Sequence, residues 1–224
     1  MSTSLPQPAV PARVPSTASS SRLPAFHAGA AAPAPGAPIW NLFDLSGRLV
    51  ELSADAEAAP LTAAFGLVLD AQLAGDRAAW VMLTHSSFFP PDVVDGGVDL
   101  DALVVVRVPT ARLAGRAADT LVSSGGFGLV VIDLSSQPAT DGLLPTPLLV
   151  RLLGRARQQD VAVLLLTKKS SAMPSLDSLI SLRAEARWRV REERYELSVH
   201  VLKDKRRGPG WTHVEACRGP AGLR

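Results

Sequence analysis

Cysteine is nearly absent from this chain. A single residue, Cys217, excludes an intramolecular disulfide and fits a reducing compartment. With one cysteine and four histidines (His27, His85, His200, His213) lacking metal-ligand spacing, no zinc site is expected, and no other metal. No apolar run reaches the about 20 residues that span a bilayer, so no membrane association is expected. The opening MSTSLPQPAV lacks the apolar stretch of a secretory signal, and the prolines of residues 1–38 spoil the amphipathic helix of a transit peptide. The expected location is therefore cytoplasmic. Ser123 and Ser124 precede Gly125-Gly126, but without a G-x-S-x-G elbow they do not suggest a serine hydrolase. No fixed-period repeat is visible.

Charge is present but unevenly placed. Residues 1–38 carry two arginines and no acid; residues 39–182 hold 10 basic and 15 acidic side chains; residues 183–224 hold 11 basic and 6 acidic. A basic end on an acidic body suggests an anionic partner at the C-terminal end, against the plainer reading of a solvated surface. Residues 1–38, rich in Pro, Ala and Ser, bury too little apolar surface to offset their ordering entropy and read as a flexible arm. Phe26, the arm's large aromatic, is a candidate partner anchor.

From residue 39 onward strand-like runs (48–52, 79–83, 103–108, 128–134, 161–167) alternate with helical stretches (60–75, 110–124, 145–159). GLVVIDL and VAVLLLT are almost unbroken apolar runs, as expected for strands covered on both faces. Alternating βα units predict an α/β fold with a mostly parallel sheet and helices on both faces. EARWRV, YELSVHVL and WTHVEACR alternate polar and apolar residues and predict an antiparallel extension of the sheet. The expected organisation is an arm (1–38), a core domain (39–218) and a short tail (219–224).

Within the core, GRLVELSADAEAAPLTAAFGLVL has the frame of a phosphate-binding loop: strand, loop, helix. A working loop reads G-x-x-x-x-G-K-[ST]; its glycines admit backbone N–H groups, its lysine neutralises phosphate and its hydroxyl holds magnesium. The corresponding positions here run from Ala54 to Leu61. Ala54 and Ala59 replace the glycines, Pro60 the lysine and Leu61 the hydroxyl, while Asp55 and Glu57 add negative charge. Asp133, in LVVIDL, stands like a Walker B carboxylate; alone it reads as a remnant or a capping residue. No nucleotide or other cofactor is expected, and no ATPase activity.

The order GRLVEL, AAWVML, GVDLDALVVVRVP, LVSSGGFGLVVIDL, RLLGRARQQDVAVLLLT and ELSVHVLKDKR resembles the RecA ATPase core, and more closely the ImuA family of RecA-like accessory proteins in bacterial mutagenic translesion synthesis. The resemblance covers residues 39–218. It implies a RecA-like sheet, and as partners RecA and ImuB, with an error-prone C-family polymerase engaged indirectly. The place of the RecA carboxylate that activates water falls near Thr84 and His85, and the segments after Asp133 and Thr167 are short beside RecA's DNA-binding loops. VLKDKRR resembles the RecA stretch whose lysines reach a neighbour's ATP. Lys203 and Lys205 match those positions, alternate spacing puts them on one face of a strand, and Arg206 and Arg207 are expected to extend the charge.

A chain with the lysine end and no ATP end would cap a head-to-tail filament. Competing readings are a RecA-type ATPase or recombination protein, a SulA-like division inhibitor acting on FtsZ, and DNA contact through the basic C-terminal end with Trp188, Tyr195 or Trp211 stacking bases. His200 and His213 are expected as cross-strand neighbours, and Leu176, Leu179, Ile180 and Leu182 as core. Trp188 and Trp211 are otherwise expected to pack against the sheet or cover its edge.

Overall fold

The computed structural model describes residues 39–54, 59–86, 90–138, 143–191 and 194–217. The arm with Phe26, the tail, and Asp55 and Glu57 of the loop lie outside the described residues.

A short helix α1 (Leu42–Leu45), capped by the Asn41 side chain, leads into β1 (Leu49–Ala54). Then come α2 (Ala59–Leu73), β2 (Ala78–Leu83), α3 (Pro90–Asp95), β3 (Leu103–Val108), α4 (Ala111–Ser123), β4 (Leu129–Pro138), α5 (Thr146–Gln159), β5 (Ala162–Lys168), β6 (Leu182–Arg191), β7 (Arg194–Asp204) and β8 (Thr212–Cys217). The strands form one eight-stranded sheet in the order β3-β2-β4-β5-β1-β6-β7-β8. β3 through β6 pair in parallel; β7 and β8 add antiparallel. This is a mixed α/β sheet, as the apolar runs predict, and it matches the RecA-like sheet that the resemblance implies.

The chain alternation explains the layering. Successive side chains of a strand point to opposite faces. Val50 and Leu52 of β1, Leu164 and Leu166 of β5 and Leu129 and Val131 of β4 pack under α2, around the stacked pair Phe65 and Trp80 (ring centroids 4.4 Å apart). Leu49, Val163, Leu165, Val130 and Ile132 point the other way, under α4 and α5. α4 and α5 approach closely because Gly115 has no side chain: a Cβ there would sit 2.5 Å from Leu148 Cδ2.

The crossover from β5 to β6, residues 169–181, contains no helix. It lies on the α4/α5 face as a strap, with Ile180 fully buried and Leu176 and Leu179 packed against the same core. Leu182 is buried on the other face.

Several sequence boundaries move. β4 continues to Pro138 rather than ending near Asp133, and the pairing register with β5 breaks after Asp133. β6 starts at Leu182, three residues before EARWRV. Lys203 and Asp204 belong to β7, not to the turn, which bends through Gly208 and Gly210 at φ +82° and +97°. His200 and His213 are not cross-strand neighbours: His200 pairs with Thr212 and His213 with Val199, so the two rings point to opposite faces.

Candidate functional site: the loop frame and the basic sheet end

The strand and helix of the loop frame are both present. β1 ends at Ala54 and α2 begins at Ala59, with Ala59 and Pro60 buried. Pro60 has no N–H, so the first turn of α2 presents fewer donors than a phosphate-binding helix start. Thr62 follows Leu61 on the helix, but one residue is a turn of about 100° around the axis. Asp133 is 2% exposed, and its Oδ1 accepts from the Ser135 N–H (3.0 Å) and Ser135 Oγ (2.6 Å). It thus caps the break in the β4–β5 ladder. His85 is exposed at the end of β2, its Nε2 3.2 Å from Ser136 Oγ.

Sequence reasoning missed the charged cluster beside this frame. Glu51, at the middle of β1, is fully buried. Lys169 Nζ lies 2.5 Å from its Oε1, which also accepts from Thr167 Oγ1 (3.0 Å); Oε2 accepts from the Leu176 N–H (2.9 Å). Lys169 also donates to the Pro174 carbonyl at 2.7 Å. Its backbone N–H donates to the Ala54 carbonyl, so its backbone adjoins the first loop position while its ammonium is spent on Glu51. Arg183, opposite Glu51 in the sheet, donates to the carbonyls of Ser170 and Met173. Burial lowers the Arg183 pKa, and the charges of Glu51 and Glu185 oppose that shift. The strap is therefore tied to the sheet by buried ions. A carboxylate inside a central strand was the visible signal.

Lys203 lies at the far end of β7 and Lys205 just past it, in the turn. Arg183 pairs with Lys203 and Ala184 with Val201, so Leu202 is an extra, bulged residue. The bulge resets the alternation and places Lys203 on the strap side, away from the α2 core. Lys203 Nζ lies 3.4 Å from Ser175 Oγ, and Lys205 Nζ donates to the Ser178 carbonyl at 2.6 Å. Burial lowers the Lys203 pKa, and the Lys205 charge lowers it further. Both ammonium groups thus reach the strap, although Lys205 lies in the turn past the end of β7 and not on the strand, where its spacing predicts it.

Arg206 and Arg207 do not extend that face. Arg206 Nη2 donates to the Ser46 carbonyl (3.3 Å), and Arg207 makes a two-pronged pair with Asp44 of α1 (2.8 and 3.1 Å). Beneath them Arg48 and Asp204 form a buried pair at 2.5 Å. Burial pushes the Asp204 carboxyl up, but the Arg206 N–H, Arg48 and the Trp211 indole N–H together hold it below the usual carboxylate range. Trp211 packs against the α2-face core and donates to Asp204 at 3.3 Å; Trp188 packs there too, edge-on to Tyr195.

Among the described residues no group of three metal-ligating side chains comes together, and no helix is long and apolar enough to cross a membrane. No family model matches the chain. Over 88 residues, 39% of its length, it is 39% identical to the protein RecA of Nocardia farcinica. Over stretches of the same length it is 38% identical to RecA of Mycolicibacterium vanbaalenii and 36% to that of Rhodococcus jostii. The chain spans about a quarter of the length of these curated relatives, 25% in each case. The chain is RecA-like in its fold and, over that stretch, in its sequence.

Proposed function

We propose that this chain is a non-catalytic, RecA-like adaptor of the ImuA kind, acting in DNA-damage-induced (SOS) mutagenesis. In this reading it binds RecA, joins it to ImuB and through ImuB to an error-prone polymerase, and limits extension of RecA filaments. The observation that carries the reading is a pairing: Ala54, Ala59, Pro60 and Leu61 supply no glycine, lysine or hydroxyl at the aligned loop positions, while Lys203 and Lys205 both reach the strap at the sheet's other end. The ammonium group of Lys169, whose backbone N–H bonds the Ala54 carbonyl, is spent on Glu51, and Lys168, opposite Ala54 in the sheet, is exposed.

Lys203 and Lys205, by contrast, touch a hydroxyl and a carbonyl. Burial, and after it the neighbouring Lys205 charge, lower the Lys203 pKa, and an arriving anion would offset both. A triphosphate presented by the exposed end of a RecA filament supplies that anion. The test is capture of RecA, loaded with a non-hydrolysable ATP analogue, by the purified chain and by a Lys203→Glu, Lys205→Glu variant. Capture that needs the nucleotide and is lost in the variant is expected; equal capture by both proteins removes the reading.

A further inference from the structure

We propose that β8 is a self-pairing edge, and that two copies of this chain join through it into one continuous sheet. β8 ends the strand order, and no described element pairs with its outer side. The Val201 N–H donates to the Trp211 carbonyl (2.9 Å), and His213, Glu215 and Cys217 stand opposite Val199, Leu197 and Tyr195. Hydrogen-bonding residues alternate along an antiparallel strand. His213, Glu215 and Cys217 therefore turn their backbone groups to β7, and Thr212, Val214 and Ala216 turn theirs outward. The strand THVEAC carries no proline, lysine, arginine or bulge, and its one acidic side chain, Glu215, lies 3.9 Å from His213 of the same strand. Val214 is 43% exposed at its centre.

The occupant follows from the register. Pairing about a two-fold axis through Val214 sets Val214 against its own counterpart and Thr212 against the second copy's Ala216. The outward backbone groups of both strands then meet each other. In the same register His213 faces the second copy's Glu215, at the narrow positions where side chains approach most closely. An axis through Glu215 would instead oppose two carboxylates, and one through His213 two imidazoles. The imidazole–carboxylate pairing thus favours Val214, and the contact is isologous. The paired sheet directs the two lysine ends away from each other. The pairing stands independently of the adaptor reading.

The test uses the full chain in sedimentation equilibrium. The mass is expected to rise with concentration from 23.6 kDa toward twice that value. Val214→Lys changes an exposed side chain and brings two ammonium groups together across the axis; it should weaken association at least tenfold with unchanged circular dichroism. Val214→Cys in a Cys217→Ser background should give a reducible dimer on mild oxidation, since facing Cα atoms at about 5.5 Å permit a disulfide. A wild-type chain that stays monomeric up to about 1 mM, a Val214→Lys protein that associates as well as wild type, or a Val214→Cys protein that does not cross-link each overturns the proposal.

Discussion

Removing the carboxylate of Glu51 should loosen the strap and destabilise the whole sheet. Glu51→Met leaves the Lys169 ammonium, 3% exposed, with the Pro174 carbonyl but without its carboxylate, and removes a buried counter-charge to Arg183. Breaking a buried pair from one side costs about 3–5 kcal/mol. For a chain of this size that corresponds to a fall in Tm of about 6–20 °C. Lys169→Met should cost less, because Glu51 keeps Thr167, the Leu176 N–H and the Arg183 charge. The double variant should recover much of the loss, with a coupling of about 1–3 kcal/mol. Chemical denaturation of the four proteins gives the cycle, and hydrogen exchange over residues 169–181 reports the strap directly. Additive losses, or a strap in Glu51→Met that exchanges as slowly as wild type, would refute the reasoning that this ion pair ties the crossover down.

Two further perturbations test the packing and the charge at the sheet's basic end. Asp204 has a folded pKa below its ordinary value of 3.8, so it contributes stability above about pH 4 that is lost as pH falls through the folded pKa. Asp204→Asn should flatten that acid limb in a melt-versus-pH series, and an unchanged limb would count against the Arg48 pair. Gly115→Ala puts a methyl group against Leu148 at the α4–α5 contact and should cost about 1–3 kcal/mol in urea denaturation; a neutral result would show that Leu148 moves aside freely.

Much of the fold was legible because it rests on long-wavelength pattern. The runs GLVVIDL and VAVLLLT became the central parallel strands β4 and β5, and the alternating C-terminal segments became the antiparallel end. What was hidden depends on single-residue register. The bulge at Leu202 decides which face Lys203 takes, and nothing in VLKDKRR announces it. The same one-residue parity separates His200 from His213. Arg206 and Arg207 follow the lysines in sequence, yet they turn to α1, because Asp44 and the Ser46 carbonyl lie within reach there. In the sequence Glu51 is one residue of the strand-like run that opens the loop frame. Its partners, Lys169 and Leu176, come from more than a hundred residues away, so only the assembled sheet reveals why a carboxylate is tolerated there.

The proposed function requires that this chain hold no triphosphate at its own loop frame and answer to one carried by another molecule. Calorimetric titration of the purified chain with ATP and magnesium tests it most directly. No saturable heat up to about 1 mM nucleotide, and no phosphate release, is the predicted result. Micromolar binding accompanied by hydrolysis would contradict the account and make the molecule an ATPase.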